Sequence, residues 1–432
     1  MNPRRTVIAA GLVAVCLTAT ACGGGDGGGD AGAKENTATG PIKVWLSNNE
    51  AEIKWGEAMV EAWNAEHPDE EITAQEIPAG NSSEEVIGAA ITAGNAPCLI
   101  FNTAPVAVSQ FQKQGGLVSL SSFEGGDDYI EERTGEAAEQ YRSEDGELYQ
   151  MPWKSNPVMI FYNKALMKKA GVDPENPPLA TYDEFLATSQ KIVDSGAAQA
   201  AIWPAPSSEF YQSWFDFYPL FAAESDGQQL VEDGEAQFDS DAGQSVADFW
   251  SQMYEKGLSQ KEAYNGDSFA DGKAAMAIVG PWAISVYGDK VDWGAVPVPT
   301  SSGAPAEEVY TFSDAKNVAM YTACKNRGTA WEVLKFATGE EQDGALLELT
   351  GQMPLRQDLP GAFPEYFEKN PTYTTFAEQA ARTVEVPNVP NSIEIWQTFR
   401  DGWSESVIFG KTDAATGLAD AAEEVNGLAG QS

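Results

Sequence analysis

The chain has 432 residues, with 65 Asp and Glu, 26 Lys and Arg, one His and a formal net charge of −39. That balance excludes a nucleic-acid binder, which needs clustered Lys and Arg against phosphate, and excludes docking by charge on an anionic membrane. Hydrophobic residues are 43% of the chain and aromatics 10%, so this is globular material and not a disordered acidic tail. At roughly 150 residues per domain the length allows two or three domains. Any histidine triad or histidine base would have to use His67, and a multi-histidine metal site is impossible. His67 precedes Pro68, which closes a helix, and reads as a surface histidine. No metal and no cofactor is implied.

Arg4 and Arg5 precede an apolar run from Val7 to Leu17 and the small-residue stretch Thr18-Ala19-Thr20-Ala21-Cys22. A charged start, a short apolar run and a small-residue cleavage site make residues 1–21 a signal peptide, too short to span a bilayer at about 20 residues. Small residues directly before a cysteine resemble the bacterial lipoprotein signal. In that reading Cys22 carries the lipid; ordinary secretion with cleavage near Ala21 is the alternative. The glycine-rich stretch 22–39 follows the cleavage site and reads as a flexible tether spanning roughly 20–25 Å. No later stretch is long and apolar enough to span a bilayer. Cys16 leaves with the leader and Cys22 takes the lipid. Cys98 and Cys324 remain, either as one disulfide in an oxidising compartment or as two separate thiols.

Ile42 to Leu46 has the pattern of a short strand, followed by the polar loop Ser47-Asn48-Asn49-Glu50 and a helix carrying Ile53, Met59, Val60 and Trp63. Glu71 to Ile77 alternates as a strand does. Ser82-Ser83-Glu84-Glu85 opens a second helix with cap chemistry. Cys98 to Phe101 is a buried strand. This β-α-β-α-β order predicts a parallel sheet, with ligands outside the carboxyl ends of the strands at Ser47–Glu50 and Asn102–Pro105. Further on, Pro157 to Tyr162 reads as a strand, and Tyr182 to Val193 and Ser245 to Tyr254 as amphipathic helices. Ala274 to Val279 is a strand running into Gly280-Pro281-Trp282, Val318 to Tyr321 a strand before the helix Thr329–Ala337, and the chain from Tyr373 on is mostly helical. Asp239-Ser240-Asp241-Ala242-Gly243 looks a little like a calcium loop. It lacks the spaced Glu, and a helix cap explains it.

Six blocks now stand in order: Tyr149-Gln150-Met151-Pro152-Trp153 with Phe161-Tyr162-Asn163-Lys164-Ala165-Leu166; Tyr182-Asp183-Glu184-Phe185; Gly272-Lys273-Ala274-Ala275-Met276 with Gly280-Pro281-Trp282; Pro297-Val298-Pro299; Ala330-Trp331-Glu332-Val333-Leu334-Lys335-Phe336; and Pro387-Asn388-Val389-Pro390 with Trp396. Together they resemble the carbohydrate-binding lipoproteins of ABC importers, over about Pro41 to Gly427. The maltose-binding protein is a distant member similar in its Pro-Asn-x-Pro…Trp and Gly-Pro-Trp blocks. The resemblance implies an α/β, two-lobed periplasmic-binding-protein-like fold whose hinge closes on a sugar in the interlobe cleft. The first lobe would take 40–154 plus 310–342 and the second 155–309 plus 343–432. It also implies that the strand at Cys98 lies beside one ending near Cys324, which favours the disulfide. Delivery would be to the membrane subunits of an ABC permease, from a monomer held at the outer face of a bacterial cell membrane by its lipid alone.

A sugar offers apolar C–H faces and a hydroxyl rim, so its site needs flat aromatics and forked hydrogen-bonders. By family position, Trp282 and Trp396 would stack on sugar. Trp153 and Asn156 would face the cleft at the lobe crossing, where relatives often have a carboxylate in place of Asn156. Tyr211, Trp214 and Glu209 lie where relatives present aromatics. Asn48, Asn49 and Glu50 occupy the first-lobe loop where relatives hold hydroxyls, Asn102 ends the third strand beside it, and Asp314 and Arg356 would add polar contacts. Beyond Asn102 relatives carry a charged pair, whereas this chain has Thr103-Ala104-Pro105, a departure that alters the sugar recognised. Several aromatics point to a di- or oligosaccharide. The rival readings are the same fold holding a polyamine, peptide or other solute, and a secreted glycoside hydrolase, which would need two carboxylates at a fixed distance.

Overall fold

The computed structural model describes residues 36–47, 49–80, 82–204 and 206–430. The expected signal peptide, the expected lipidation site Cys22, most of the expected tether and Asn48 lie outside the described residues. Among the described residues no helix is long and apolar enough to cross a membrane.

Two sheets organise the chain. The first has six strands in the order β13-β4-β12-β3-β1-β2. These are β1 (Ile42–Leu46), β2 (Ile72–Glu76), β3 (Leu99–Thr103), β4 (Met151–Ser155), β12 (Lys316–Met320) and β13 (Met353–Pro354). Strands β1, β2 and β3 run parallel, as the β-α-β-α-β pattern predicts, and β12 returns antiparallel to both β3 and β4. The second sheet has the order β10-β5-β9-β6, from β5 (Met159–Asn163), β6 (Ala200–Ile202), β9 (Ala274–Val279) and β10 (Trp293–Val296). A small hairpin, β7 (Val231–Glu232) with β8 (Glu235–Ala236), lies apart. Each sheet alternates with helices, so each lobe is a layered α/β unit, and one buried cluster runs from Ile77 and Ile100 at the first sheet to Phe217 and Trp396 of the second lobe.

Three segments cross between the lobes, and they hydrogen-bond to one another. Asn156 N donates to Ser313 O at 2.7 Å and Val158 N to Phe312 O at 3.0 Å. On the other side, β11 (Thr311–Phe312) pairs in parallel with β14 (Thr383–Val384), and Ser313 N donates to Val384 O at 3.0 Å. A narrow ribbon of backbone thus forms the hinge. The chain stays with the first sheet past residue 342, since helix Glu340–Thr350 packs on helix Glu50–Glu66 and Met353 pairs with Ser155 of β4. Leu347 and Met353 meanwhile join a cluster with Phe161 and Phe376, so the return to the second lobe is gradual.

Local chemistry explains the element ends. Asn49 caps helix Glu50–Glu66, its side chain accepting from Ala51 N and Glu52 N; His67 ends it and stacks on Trp63 at 3.9 Å. Ser82 caps helix Ser83–Thr92 through Glu85 N. Ser240 caps helix Asp241–Glu255, so the calcium look-alike is a cap, as expected, and the helix begins four residues earlier than its apolar pattern predicts. Cys98 and Cys324 form a disulfide closing a separation of 226 residues at the end of the β3–β12 pair.

Candidate functional site

Strand direction locates the cleft. In the second sheet β6 and β9 run parallel, and Val279 at the end of β9 faces Met159, which opens β5 just after the crossing. In the first sheet Thr103 ends β3 opposite Asn317, and Lys316 faces Lys154 near the end of β4. The carboxyl ends of both sets of parallel strands therefore point at the hinge ribbon, where open α/β sheets bind ligands.

The second-lobe wall is aromatic. A cavity of about 380 Å³ is lined by Trp203, Phe215, Tyr264 and Trp282, with Asp267 and Ser268 among its polar atoms. Trp203 follows β6 and Trp282 follows β9. The Trp282 ring folds back over Gly280, where a Cβ would come within 1.9 Å of ring carbon Cζ3, so only glycine leaves room for that pose. Phe215 sets its edge on Trp282, centroids 5.8 Å apart. Two polar ring ends are tied to protein: Trp203 Nε1 donates to Glu262 O at 2.7 Å and the Tyr264 hydroxyl to Asp271 Oδ2 at 2.9 Å. Asp267 Oδ1 accepts from Phe269 N and Ala270 N. Trp203 and Tyr264 are thus fixed by their polar ends where they line the cavity, and Asp267 Oδ1 is taken up by backbone donors.

The first-lobe wall and the hinge are polar and charged. Asn102 is half-buried in left-handed backbone with φ 73°, as the extra residue of a bulge between Thr103 and Phe101 opposite β12. Glu84, in the first turn of helix Ser83–Thr92, acts electrostatically on Tyr211 of the second lobe and on Lys316, so the two walls approach one another there. Asp314, with φ 35°, pairs with Lys316 Nζ at 2.6 Å. Behind them Lys154 Nζ donates to Glu52 Oε1 at 2.5 Å, and Gln352 Nε2 to the same oxygen at 2.6 Å. Burial pushes Glu52 up, but the Lys154 charge and the donors around it win and hold the carboxyl below its ordinary value. Asn156 is 2% exposed, with Nδ2 3.4 Å from both Asp314 O and Gln352 Oε1 and its Oδ1 buried without a hydrogen-bond partner. Glu385, on the third crossing, accepts from Val386 N and Ala315 N, and burial pushes its carboxyl up to about 8.

The expected site residues divide sharply. Trp282 lines the aromatic cavity, Tyr211 is 39% exposed, and Glu209 is exposed beside it. Asn102, Asp314 and Asn156 lie at the strand ends or the crossing. Asn49 is occupied as a helix cap, and Glu50 points to solvent in an ion pair with Lys54. Trp153 belongs to the first-lobe core rather than the cleft: it is 1% exposed, with Trp55 and Phe101 at 5.2 and 5.3 Å. Trp55 of helix Glu50–Glu66 covers that face of the sheet. Trp396 is wholly buried under Trp214 and Tyr218, and Trp214 itself is 5% exposed. Arg356 is consumed in the first lobe, its Nε donating to Asp343 at 2.9 Å. The sequence reading missed Trp203 and Tyr264. A signal existed, because Trp203 follows its strand as Trp282 follows its own.

Residues 47–344 match the sequence pattern of the bacterial extracellular solute-binding proteins. The chain belongs to that family. It is 26% identical to the diacetylchitobiose binding protein DasA of Streptomyces coelicolor, over 98% of this chain and 97% of that protein. It is 25% identical to the maltodextrin-binding protein MdxE of Bacillus subtilis, over 75% of this chain and 74% of the relative. The fold matches a cyclic α-maltosyl-1,6-maltose binding protein from Arthrobacter globiformis with TM-score 0.79 at 22% identity, covering 91% of this chain and all of that structure. Family and fold are those of solute-binding proteins and not of enzymes.

Proposed function

We propose that this solute-binding protein is a lipid-anchored receptor on the outer face of a bacterial membrane. It binds a di- or oligosaccharide in the interlobe cleft and hands it to an ABC-type import permease. The observation that carries the saccharide is the cavity of Trp203, Phe215, Tyr264 and Trp282 at the strand ends. Ring faces suit sugar C–H faces, and Asp267 and Ser268 at the rim suit hydroxyls. The sugar-binding relatives support the same ligand class. Transfer to a permease requires that loaded and empty forms differ. A ligand touching both walls binds the closed hinge better and shifts the population towards it. Anchoring rests on the sequence around Cys22, with residues 22–39 as the tether.

A cationic solute such as a polyamine is the second reading. It is favoured by the cleft acids Glu84, Glu209 and Asp267, set against Lys316, which Asp314 already pairs. The test is thermal unfolding of residues 36–432 with maltose, N,N′-diacetylchitobiose and spermidine. A ligand at about 1,000 times its dissociation constant adds roughly 4 kcal/mol. A rise with either sugar supports the saccharide reading; a rise with spermidine alone replaces it.

A further inference from the structure

We propose that an apolar clasp between the turn Pro105–Ala107 of the first lobe and the helix Ser392–Trp403 of the second holds the lobes together on one side of the cleft before any ligand arrives. This goes beyond the saccharide reading and does not depend on it. The chain beyond a strand's carboxyl end is where open α/β sheets leave space for a ligand. After β3 the space is filled instead. From Thr103 to Val108 every residue is buried and none is charged. Val106 is 1% exposed, and Ala107 and Val108 have no exposed surface. The turn Pro105–Ala107 packs on helix Ser392–Trp403. Ala104, Val106 and Ala107 share one apolar cluster with Ile395, Trp396 and Phe399 of that helix.

The two halves of the clasp are fixed to different lobes. Thr103 ends β3 opposite Asn317 of β12, and its hydroxyl lies 3.1 Å from the Tyr321 hydroxyl. The helix Val108–Lys113 continues the turn and sets Phe111 6.5 Å from the same Tyr321 ring. On the other side, Trp396 and Phe399 pack on Tyr218 and Phe217 at 4.9 and 4.6 Å, and their helix packs on helix Ala414–Ala429. The loop leading into the helix touches the first lobe as well, since Asn388 Nδ2 donates to Arg142 O at 3.1 Å. Parting the lobes here would return the apolar side chains to water, which the hydrophobic effect opposes in proportion to their area. No residue of the clasp lines the cavity of Trp282, so the aromatic wall stays accessible. A ligand then stabilises a closed form that is already populated, and less of its binding free energy is spent on closure.

The test is small-angle scattering and hydrogen exchange of the ligand-free body, residues 36–432, as parent, Val106→Asp and Val106→Ala. The parent is expected to scatter with the radius of gyration of this structure. Val106→Asp nearly keeps the volume but sets a charge in the seam, which water reaches only when the lobes part. It should expand by about 1 Å or more from the roughly 21 Å of a compact chain of this length. Val106→Ala only trims the contact and keeps the test decisive where Val106→Asp does not fold. It should speed exchange across residues 104–111 by at least about tenfold and leave helix Glu50–Glu66 unchanged. A parent more expanded than this structure overturns the proposal. So does a folded Val106→Asp with parental scattering, or a Val106→Ala with parental exchange. Each of these results leaves the saccharide reading standing, because no ligand is present.

Discussion

Asp343→Ala probes the first lobe where its parts converge. Asp343 has no exposed surface, and its carboxylate takes Arg133 Nη2 at 2.8 and 3.0 Å and Arg356 Nε at 2.9 Å. Arg133 is 3% exposed and also donates to Pro152 O, Leu355 O, Trp153 O and Thr338 O. One guanidinium thus joins helix Gly126–Thr134, β4, the end of β13 and helix Glu340–Thr350. Removing the carboxylate strands a buried cation that keeps only neutral carbonyls, a loss of about 3–5 kcal/mol. Arg356 is partly exposed and regains water, so Arg356→Ala should cost only about 1–2 kcal/mol. Urea unfolding followed by tryptophan fluorescence reads both, and calorimetric titration reads ligand affinity alongside. The expected pattern is a large stability loss in Asp343→Ala, a small one in Arg356→Ala and an unchanged dissociation constant in Arg356→Ala. Loss of binding in Arg356→Ala at parental stability would refute this reasoning and restore Arg356 to the cleft.

The hinge carboxylate Glu385 holds its proton up to about pH 8, against an ordinary value of 4.5, chiefly because it is buried. Between those values the unfolded chain is ionised and the folded one is not, so this group's contribution falls as pH rises and is fully lost above about 8. At about 1.4 kcal/mol per pH unit that is on the order of 5 kcal/mol, and Glu385→Gln should flatten the difference and gain on the parent above pH 8; parallel stability–pH curves would contradict it. Gly280→Ala must push the Trp282 ring out of its pose, so ligand affinity should fall by roughly tenfold or more. Unchanged titrations would show that the pose is not needed. Replacing both Cys98 and Cys324 by Ser opens a 226-residue separation, and the chain-entropy model sets a ceiling of about 5 kcal/mol on the loss. A double variant as stable as the parent would mean that the bond constrains little.

The parallel α/β start of the first sheet was readable because its signals are local, whereas the two lobes entered only through the family resemblance. Short alternating strands, the Ser82 cap and the strand-helix rhythm before Phe101 each depend on a few neighbouring residues. The Gly-Pro-Trp turn was readable for a sharper reason: Gly280 is where the chain makes room for the Trp282 ring. Burial was less legible. Trp153, Trp214 and Trp396 look as suitable for sugar stacking as Trp282 does, yet each is covered by rings distant in sequence: Trp55 and Phe101, Phe312, and Tyr218. Nothing within ten residues of Trp396 announces Tyr218. Arg356 shows the same limit for charge. Its partner Asp343 is thirteen residues away across a turn, and Arg133, which shares that partner, lies 210 residues from it.

The most direct test of the account is the intrinsic fluorescence and calorimetric titration of residues 36–432 and of Trp282→Ala with maltose and N,N′-diacetylchitobiose. The account predicts that one sugar binds the parent, changes its emission and is recovered unaltered. Trp282→Ala should then lose at least about 100-fold in affinity while unfolding at the parental temperature. A sugar bound equally well by Trp282→Ala would remove the aromatic cavity from the site, and a parent indifferent to both sugars would contradict the receptor reading itself.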